Sequence, residues 1–215
     1  MKTALSSSLV AAAAVLLLSL TAGCEEPTAY RPLPPGTTVL AFGDSVTYGT
    51  GAARGEDYPS QLARISGWQV INAGIPGDTA REARGRLAPL LARHDPALVI
   101  IELGGNDFLR KRPERDVEAD IDAMTREVLD AGAIPVLVAV PRLSLLRATT
   151  GTLGDSGIYA SIAERLDVPL VEDRFSEVLS DADLRADRIH PNATGYRRLA
   201  EGIAEALEST GLLNP

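Results

Sequence analysis

From residue 38 onward the chain alternates short, apolar, β-rich runs with longer stretches whose apolar residues recur every three or four positions. The β-rich runs are 38–42 (TVLAF), 69–72 (QVIN), 98–103 (LVIIEL), 135–140 (PVLVAV) and 169–171 (PLV). The third and fourth are nearly unbroken, as in strands covered on both faces. Helices are predicted between them over 58–65, 80–93, 117–131, 157–166 and 191–207. Pro59 suits a first helical turn. Leu87, Leu90 and Leu91 share one face of the second helix, and Val117, Ile121, Met124 and Val128 share one face of the third. Repeated β-then-α units predict an α/β fold, a five-stranded parallel sheet sandwiched between helices. In such folds ligands bind beyond the carboxyl ends of the strands, so candidate chemistry belongs there.

Composition narrows the field. Of 215 residues 45% are hydrophobic and 23% charged, an ordinary globular balance. Twenty-nine acidic residues against twenty-one basic ones give a net charge of −8, and no Lys/Arg cluster supplies the footprint a nucleic-acid binder needs. Two histidines argue against a His-rich metal site, and the lone Cys24 excludes an intrachain disulfide. With aromatics at 4%, the core must be built from Leu, Ile, Val and Ala.

Residues 1–23 read as an export signal, with Lys2 preceding a twelve-residue apolar run at 9–20. As a helix that run rises about 18 Å, short of a hydrocarbon core of about 30 Å. It closes with Leu20-Thr21-Ala22-Gly23-Cys24, which resembles the lipobox of bacterial lipoproteins, with Thr21 departing from the usual Leu. The resemblance implies cleavage before Cys24, acylation of its thiol, and a lipid-anchored protein of the bacterial cell envelope facing the periplasm. If the motif is not processed in this way, simple secretion is expected. Two acyl chains give stable anchoring where one is marginal. The proline-rich stretch 24–36 reads as a tether, and 37–215 as a single domain expected to act as a monomer.

The first strand runs into Gly43-Asp44-Ser45-Val46-Thr47-Tyr48-Gly49, where a serine hydroxyl is well placed at a helix start. The same serine would serve equally as an N-cap, and Thr47 breaks the Gly-x-Ser-x-Gly elbow of α/β-hydrolases. Asp44 is expected to bond the backbone of the turn, and Tyr48 and Trp68 to pack. The second strand leads to Gly77 ahead of a helix, where its N–H could point free. The third leads to Gly104-Gly105-Asn106-Asp107, which brings backbone and an amide close to a ligand, with Asp107 expected to cap. Near the C-terminus, Asp187 stands three residues before His190, on a loop stopped by Pro191. Folded back, that carboxylate would fix the imidazole tautomer and leave the other ring nitrogen as a proton acceptor. His94, at a helix C-terminus on the opposite edge of the sheet, is expected to be structural.

Together these blocks resemble the SGNH or GDSL hydrolase family: Gly43-Asp44-Ser45, then Gly77, then Gly105-Asn106-Asp107, and last Asp187-x-x-His190, in order from about residue 38 to 192. IELGGNDFLR and IHPN are especially similar to the multifunctional thioesterase, protease and lysophospholipase enzymes of the bacterial periplasm. The resemblance implies a flavodoxin-like three-layer α/β/α sandwich and a serine esterase acting on acyl-chain or aryl esters, thioesters or lysophospholipids. It implies Ser45 as nucleophile, His190 as base and Asp187 as its orienting acid. The Ser45 N–H, the Gly77 N–H and the Asn106 amide would bind the oxyanion, with no metal or cofactor. Leu143, Leu145 and Leu146, with Phe108 and Leu109, could line an acyl groove. Carbohydrate or peptidoglycan O-acetyl esters are the alternative substrate, and a non-catalytic envelope-binding lipoprotein the alternative outside enzymes.

Overall fold

The computed structural model describes residues 30–142 and 153–215. Its strands are β1 (Thr38–Gly43), β2 (Gln69–Gly74), β3 (Leu98–Glu102), β4 (Ile134–Val138) and β5 (Leu170–Val171). All pair in parallel, in the order β2-β1-β3-β4-β5, the flavodoxin-like doubly wound arrangement. The helices are α1 (Ser45–Tyr48), α2 (Tyr58–Ser66), α3 (Ala80–His94), α4 (Gly105–Leu109), α5 (Glu114–Asp130), α6 (Ile158–Leu166), α7 (Arg174–Ser180) and α8 (Ala193–Ser209). Helices α3, α5 and α6 pack together in one layer and α2, α7 and α8 in another, so the sheet is the middle of three. As the unbroken apolar runs predict, all five residues of β3 are buried, as are Val39 to Phe42 of β1. Their packing against Leu87, Ile121, Met124, Leu199 and Ile203, all fully buried, is the main apolar stabilisation of the domain.

Where observed boundaries differ from the sequence reading, local bonding explains the change. Helix α8 starts at Ala193 rather than at residue 191 because the Asn192 side chain caps it, accepting from Gly195 N at 3.0 Å. Pro191 lies outside, bridged to Arg185. Helix α5 starts three residues early, its first turn carrying Glu114 and Asp116, which complement the dipole. Helix α1 starts at Ser45, where the sequence places a helix start, while the short helices α4 and α7 have no counterpart in the sequence pattern. In the proline-rich stretch, Leu33 and Gly36 bond to the domain: Leu33 N donates to Leu212 O (2.9 Å), Trp68 Nε1 to Leu33 O (3.2 Å) and Gly36 N to Gly67 O (2.8 Å).

Asp107 caps, as expected, but it caps a different helix from its own. Its fully buried carboxylate accepts from Ala80 N, the first amide of α3, at 2.8 Å, and pairs with Arg112. Arg112 also pairs with Asp120 of α5 at 2.8 Å, and Asp120 with Arg84 of α3 at 2.9 Å. This chain of charges ties the loop after β3 to two helices of one layer. Removing one partner of a buried pair strands the other charge, at a cost of roughly 3–5 kcal/mol. Urea unfolding of Arg112→Met should therefore show a loss of about 3 kcal/mol. A loss under about 1 kcal/mol would show that the Ala80 amide alone satisfies Asp107.

Candidate active site

The turn that carries Ser45 is built by its neighbours. Asp44 Oδ1 accepts from Val46 N at 3.0 Å, opening α1, and Gly49 closes it at φ 99°, a left-handed conformation suited to glycine. At the end of β2, a Cβ on Gly74 would collide with the Tyr48 backbone nitrogen, so the strand end and α1 sit in direct backbone contact. Ser45 is the first residue of α1 and remains partly accessible at the carboxyl edge of the sheet.

The loop that carries His190 is folded by Asp187. Its Oδ1 accepts from the Ile189 and His190 amides at 2.8 and 2.9 Å, while its Oδ2 accepts from His190 Nδ1 at 2.7 Å. A carboxylate only accepts, so Nδ1 carries the proton and Nε2 of the neutral ring is an acceptor. That Nε2 lies 3.0 Å from Ser45 Oγ. Burial works against the Asp187 charge, but the His190 ring and the two amides outweigh it and hold its carboxyl below the ordinary range. Ser45, His190 and Asp187 thus form an unbroken hydrogen-bonded chain, able to pass a proton from hydroxyl to imidazole. His94 ends α3, ahead of the amino end of β3 and far along the sheet from this chain.

Two further loops adjoin the turn of Ser45, one through Ile75 N to Gly43 O (3.1 Å) and one through Asn106 Nδ2 to Asp44 Oδ2 (2.9 Å). Gly77, at φ 89°, has empty space where a Cβ would lie, and neither its N–H nor that of Ser45 donates to any described residue. Asn106 lines a cleft with Ser45 and His190, a lining that does not include Gly77, and both hydrogens of its Nδ2 are engaged, with Asp44 Oδ2 at 2.9 Å and Asp78 O at 3.0 Å. Asp44 therefore does more than bond its own turn; it also reaches across to the loop after β3. The cleft lining is mixed: Val46, Leu109, Phe175 and Ile189 stand beside Asp44, Glu102, Asn106 and His190. Of the expected acyl-groove residues, Leu109 lines it and Phe108 does not. One residue on a helix turns about 100°, and the Phe108 ring lies against Gly104 instead. Leu143, Leu145 and Leu146, like Cys24, lie outside the described residues. Val46, Phe175 and Ile189 escaped the sequence reading. Val46 stands beside the serine and Ile189 beside the histidine, both inside motifs the sequence shows, whereas Phe175 sits on a segment with no motif. Trp68 packs, at 3% exposure, but Tyr48 at 58% does not. It borders a cavity of about 590 Å³ with Arg54, Ser60 and Asn72.

Beneath the serine lie two buried acids on adjacent strand ends. Burial pushes the Asp44 carboxyl up to about 6, against the Val46 amide, the His190 charge and the Asn106 amide. Glu102 is raised further, by burial and then by the Asp44 charge, and the Thr47 hydroxyl and nearby amides only partly oppose this. Thr47 Oγ1 donates to Glu102 Oε2 at 2.9 Å and contacts Tyr58 OH at 3.0 Å.

The fold and the site together define a doubly wound α/β protein with a serine–histidine–carboxylate chain at the carboxyl edge of its sheet, the layout of a hydrolase. The family profile described as GDSL-like lipase/acylhydrolase matches residues 41–198, and the chain belongs to that family, as a serine ester hydrolase. It is 34% identical over 176 residues to the Escherichia coli (strain K12) protein named thioesterase 1/protease 1/lysophospholipase L1, covering 80% of this chain and 83% of that one. A crystal structure of TesA superposes with a TM-score of 0.72 at 28% identity, covering 81% of this chain and 99% of that chain. The psychrotrophic esterase EstA from a Pseudoalteromonas species, in a structure inhibited by monoethylphosphonate, gives 0.68 at 25% identity, covering 80% and 97%.

Glu102 yields a test of the buried acids. A carboxyl raised in the folded state stabilises the fold fully below its unfolded value, and that advantage is lost as pH climbs through the folded one. Glu102→Gln keeps an acceptor for Thr47 and removes the titration. Between pH 5 and pH 9 the variant's unfolding midpoint should rise relative to the natural protein's by at least about 2–4 °C, the shift of 1 kcal/mol in a domain this size. A gap that stays constant across that range would show that Glu102 does not hold its proton.

Proposed function

We propose that the protein is an esterase of acyl-chain esters, with lysophospholipids and thioesters within its reach, and that Ser45, His190 and Asp187 are its catalytic triad. His190 Nε2 takes the Ser45 proton as Oγ attacks the ester carbonyl. The C–O bond to the alcohol then breaks, and the imidazolium returns its proton to the departing alkoxide. Water enters, gives its proton to the same imidazole and releases the acid, restoring Ser45. Asp187 keeps Nε2 facing the serine and stabilises the imidazolium between the two transfers. The oxyanion is received by the Ser45 and Gly77 amides and by Asn106, whose Nδ2 moves one hydrogen off its present acceptor as negative charge develops.

The observation that carries this reading is the 3.0 Å contact between His190 Nε2 and Ser45 Oγ, backed by the 2.7 Å bond to Asp187. Support for an acyl substrate comes from the apolar part of the lining, Val46, Leu109, Phe175 and Ile189, beside Ser45, which offers a hydrocarbon chain contacts that a sugar would not use. The E. coli relative's name points the same way. Acylation at Cys24 would place this activity beside lipid, on the periplasmic side of the cell envelope.

Two measurements test the reading. A fluorophosphonate should label the natural protein stoichiometrically and leave Ser45→Ala unlabelled; equal labelling of both would remove Ser45 from the nucleophile's role. With p-nitrophenyl esters of rising chain length, kcat/KM should hold or rise from butyryl to octanoyl. Collapse beyond butyryl would favour the O-acetylesterase alternative.

A further inference from the structure

We propose that Arg86 is a positioning residue for this reaction, holding the loop that carries Gly77 at a set distance from the turn that carries Ser45. The proposal rests on the esterase reading above. Arg86 lies on α3, yet its guanidinium reaches back to the carboxyl edge of the sheet, where each nitrogen meets a different segment. Nη2 donates to Gly43 O, the last carbonyl of β1, at 2.7 Å. Nη1 donates to Ala73 O near the end of β2 at 2.7 Å, and Nε to Asp78 Oδ2 at 2.7 Å. The plane of the cation stands 4.2 Å from the centre of the Phe42 ring. The side chains of Arg86 and Asp78 are only 19% and 16% exposed, so the pair is largely withdrawn from water.

The three acceptors bracket the chemistry. Gly43 leads directly into Asp44 and Ser45. Ala73 leads into the loop of Gly77, and Asp78 follows Gly77. The Asp78 carbonyl in turn accepts from Asn106 at 3.0 Å, so the same brace extends to the loop after β3. Apart from Arg86, the Gly77 loop is held by few contacts. Ile75 N donates to Gly43 O (3.1 Å), Asp78 N to Ile75 O (3.2 Å), and the half-exposed Arg110 to Gly77 O (2.9 Å). No side chain packs where the Gly77 Cβ would be. Polar anchoring by Arg86 therefore sets where the Gly77 N–H stands relative to Ser45. A planar guanidinium spreads its donors over a fixed fork and so reaches acceptors on three separate segments, whereas the three donors of an ammonium radiate from one atom.

Steady-state hydrolysis of a p-nitrophenyl ester by Arg86→Gln, Arg86→Lys and Asp78→Asn tests this, with thermal unfolding run alongside. Misplacing an oxyanion donor by about 1 Å costs on the order of 10²-fold. Arg86→Gln should thus lose about 10²-fold in kcat, and Arg86→Lys and Asp78→Asn about tenfold each, with KM within threefold. The acid limb of the pH–rate profile should stay where it is in the natural protein, because the Ser45–His190–Asp187 chain is untouched. A purely structural role would lower the unfolding midpoint and the fraction of active enzyme without changing kcat per labelled site. Asp78→Asn keeps the bonds to Gly43 and Ala73, so it carries the test if Arg86→Gln does not fold. A kcat per fluorophosphonate-labelled site within threefold of the natural protein, or a loss confined to KM, overturns the proposal. Natural protein that neither hydrolyses the ester nor labels at Ser45 overturns the esterase reading instead, and the positioning role with it.

Discussion

Everything in the cleft depends on the register of three parallel strands. Gly43 of β1 stands opposite Gly74 of β2 on one side and Glu102 of β3 on the other, so all three strands end level. Parallel strands leave a sheet by the same edge, and three level ends deliver three loops side by side. The loops of Ser45, Gly77 and Asn106 therefore meet without any of them being long. A slip of one residue in β2 would turn its side chains to the other face and move Gly74 away from the one place where α1 needs the absence of a Cβ.

That geometry has an electrostatic consequence. The sheet edge is dry beneath the serine, and two carboxyl groups stand in it, Asp44 and Glu102. An isolated carboxylate in such a place is costly, and each is answered by hydrogen bonds from its neighbours. Asp44 takes the Val46 and Asn106 donors, while Glu102 receives the Thr47 hydroxyl. The acids thereby knit the turn after β1 to the end of β3 and to the loop that follows it, a tie that apolar packing could not direct so specifically. His190 is served differently. It arrives on a surface loop, and its orientation is set locally, by one aspartate three residues away that binds two amides and the ring together.

This difference explains what could be read from the chain alone. The five strands, the longer helices and the Asp187–His190 pairing follow from local periodicity and short spacing and are legible in the chain, whereas the order of the strands in the sheet is not. Glu102 reads as one polar residue at the end of an apolar strand, and nothing nearby in sequence reveals that Thr47, fifty-five residues away, is its donor. Asp107 looks like a cap for its own segment, but its partner amide is at Ala80. Phe175 and Ile189 line the cleft only because α7 and the histidine loop pack there. Long-range pairing is decided by the assembled sheet, and hydrophobic pattern carries no record of which buried polar group meets which.

The same distinction separates two ways of building precision at one edge. The histidine loop is self-contained: Asp187, Ile189 and His190 hold one another, and the clamp on its far side, from Asn192 N to Leu184 O at 2.9 Å, is also local. The Gly77 loop has no comparable internal order. Its glycine, free of any side chain, leaves open space beside the backbone but forgoes the packing that would fix it. A loop that must present a bare amide has to be held from outside, by donors on a rigid neighbour, and the long helix α3 supplies one from its second turn. The arginine on that helix is thus the counterpart, for the Gly77 loop, of what Asp187 is for the histidine loop.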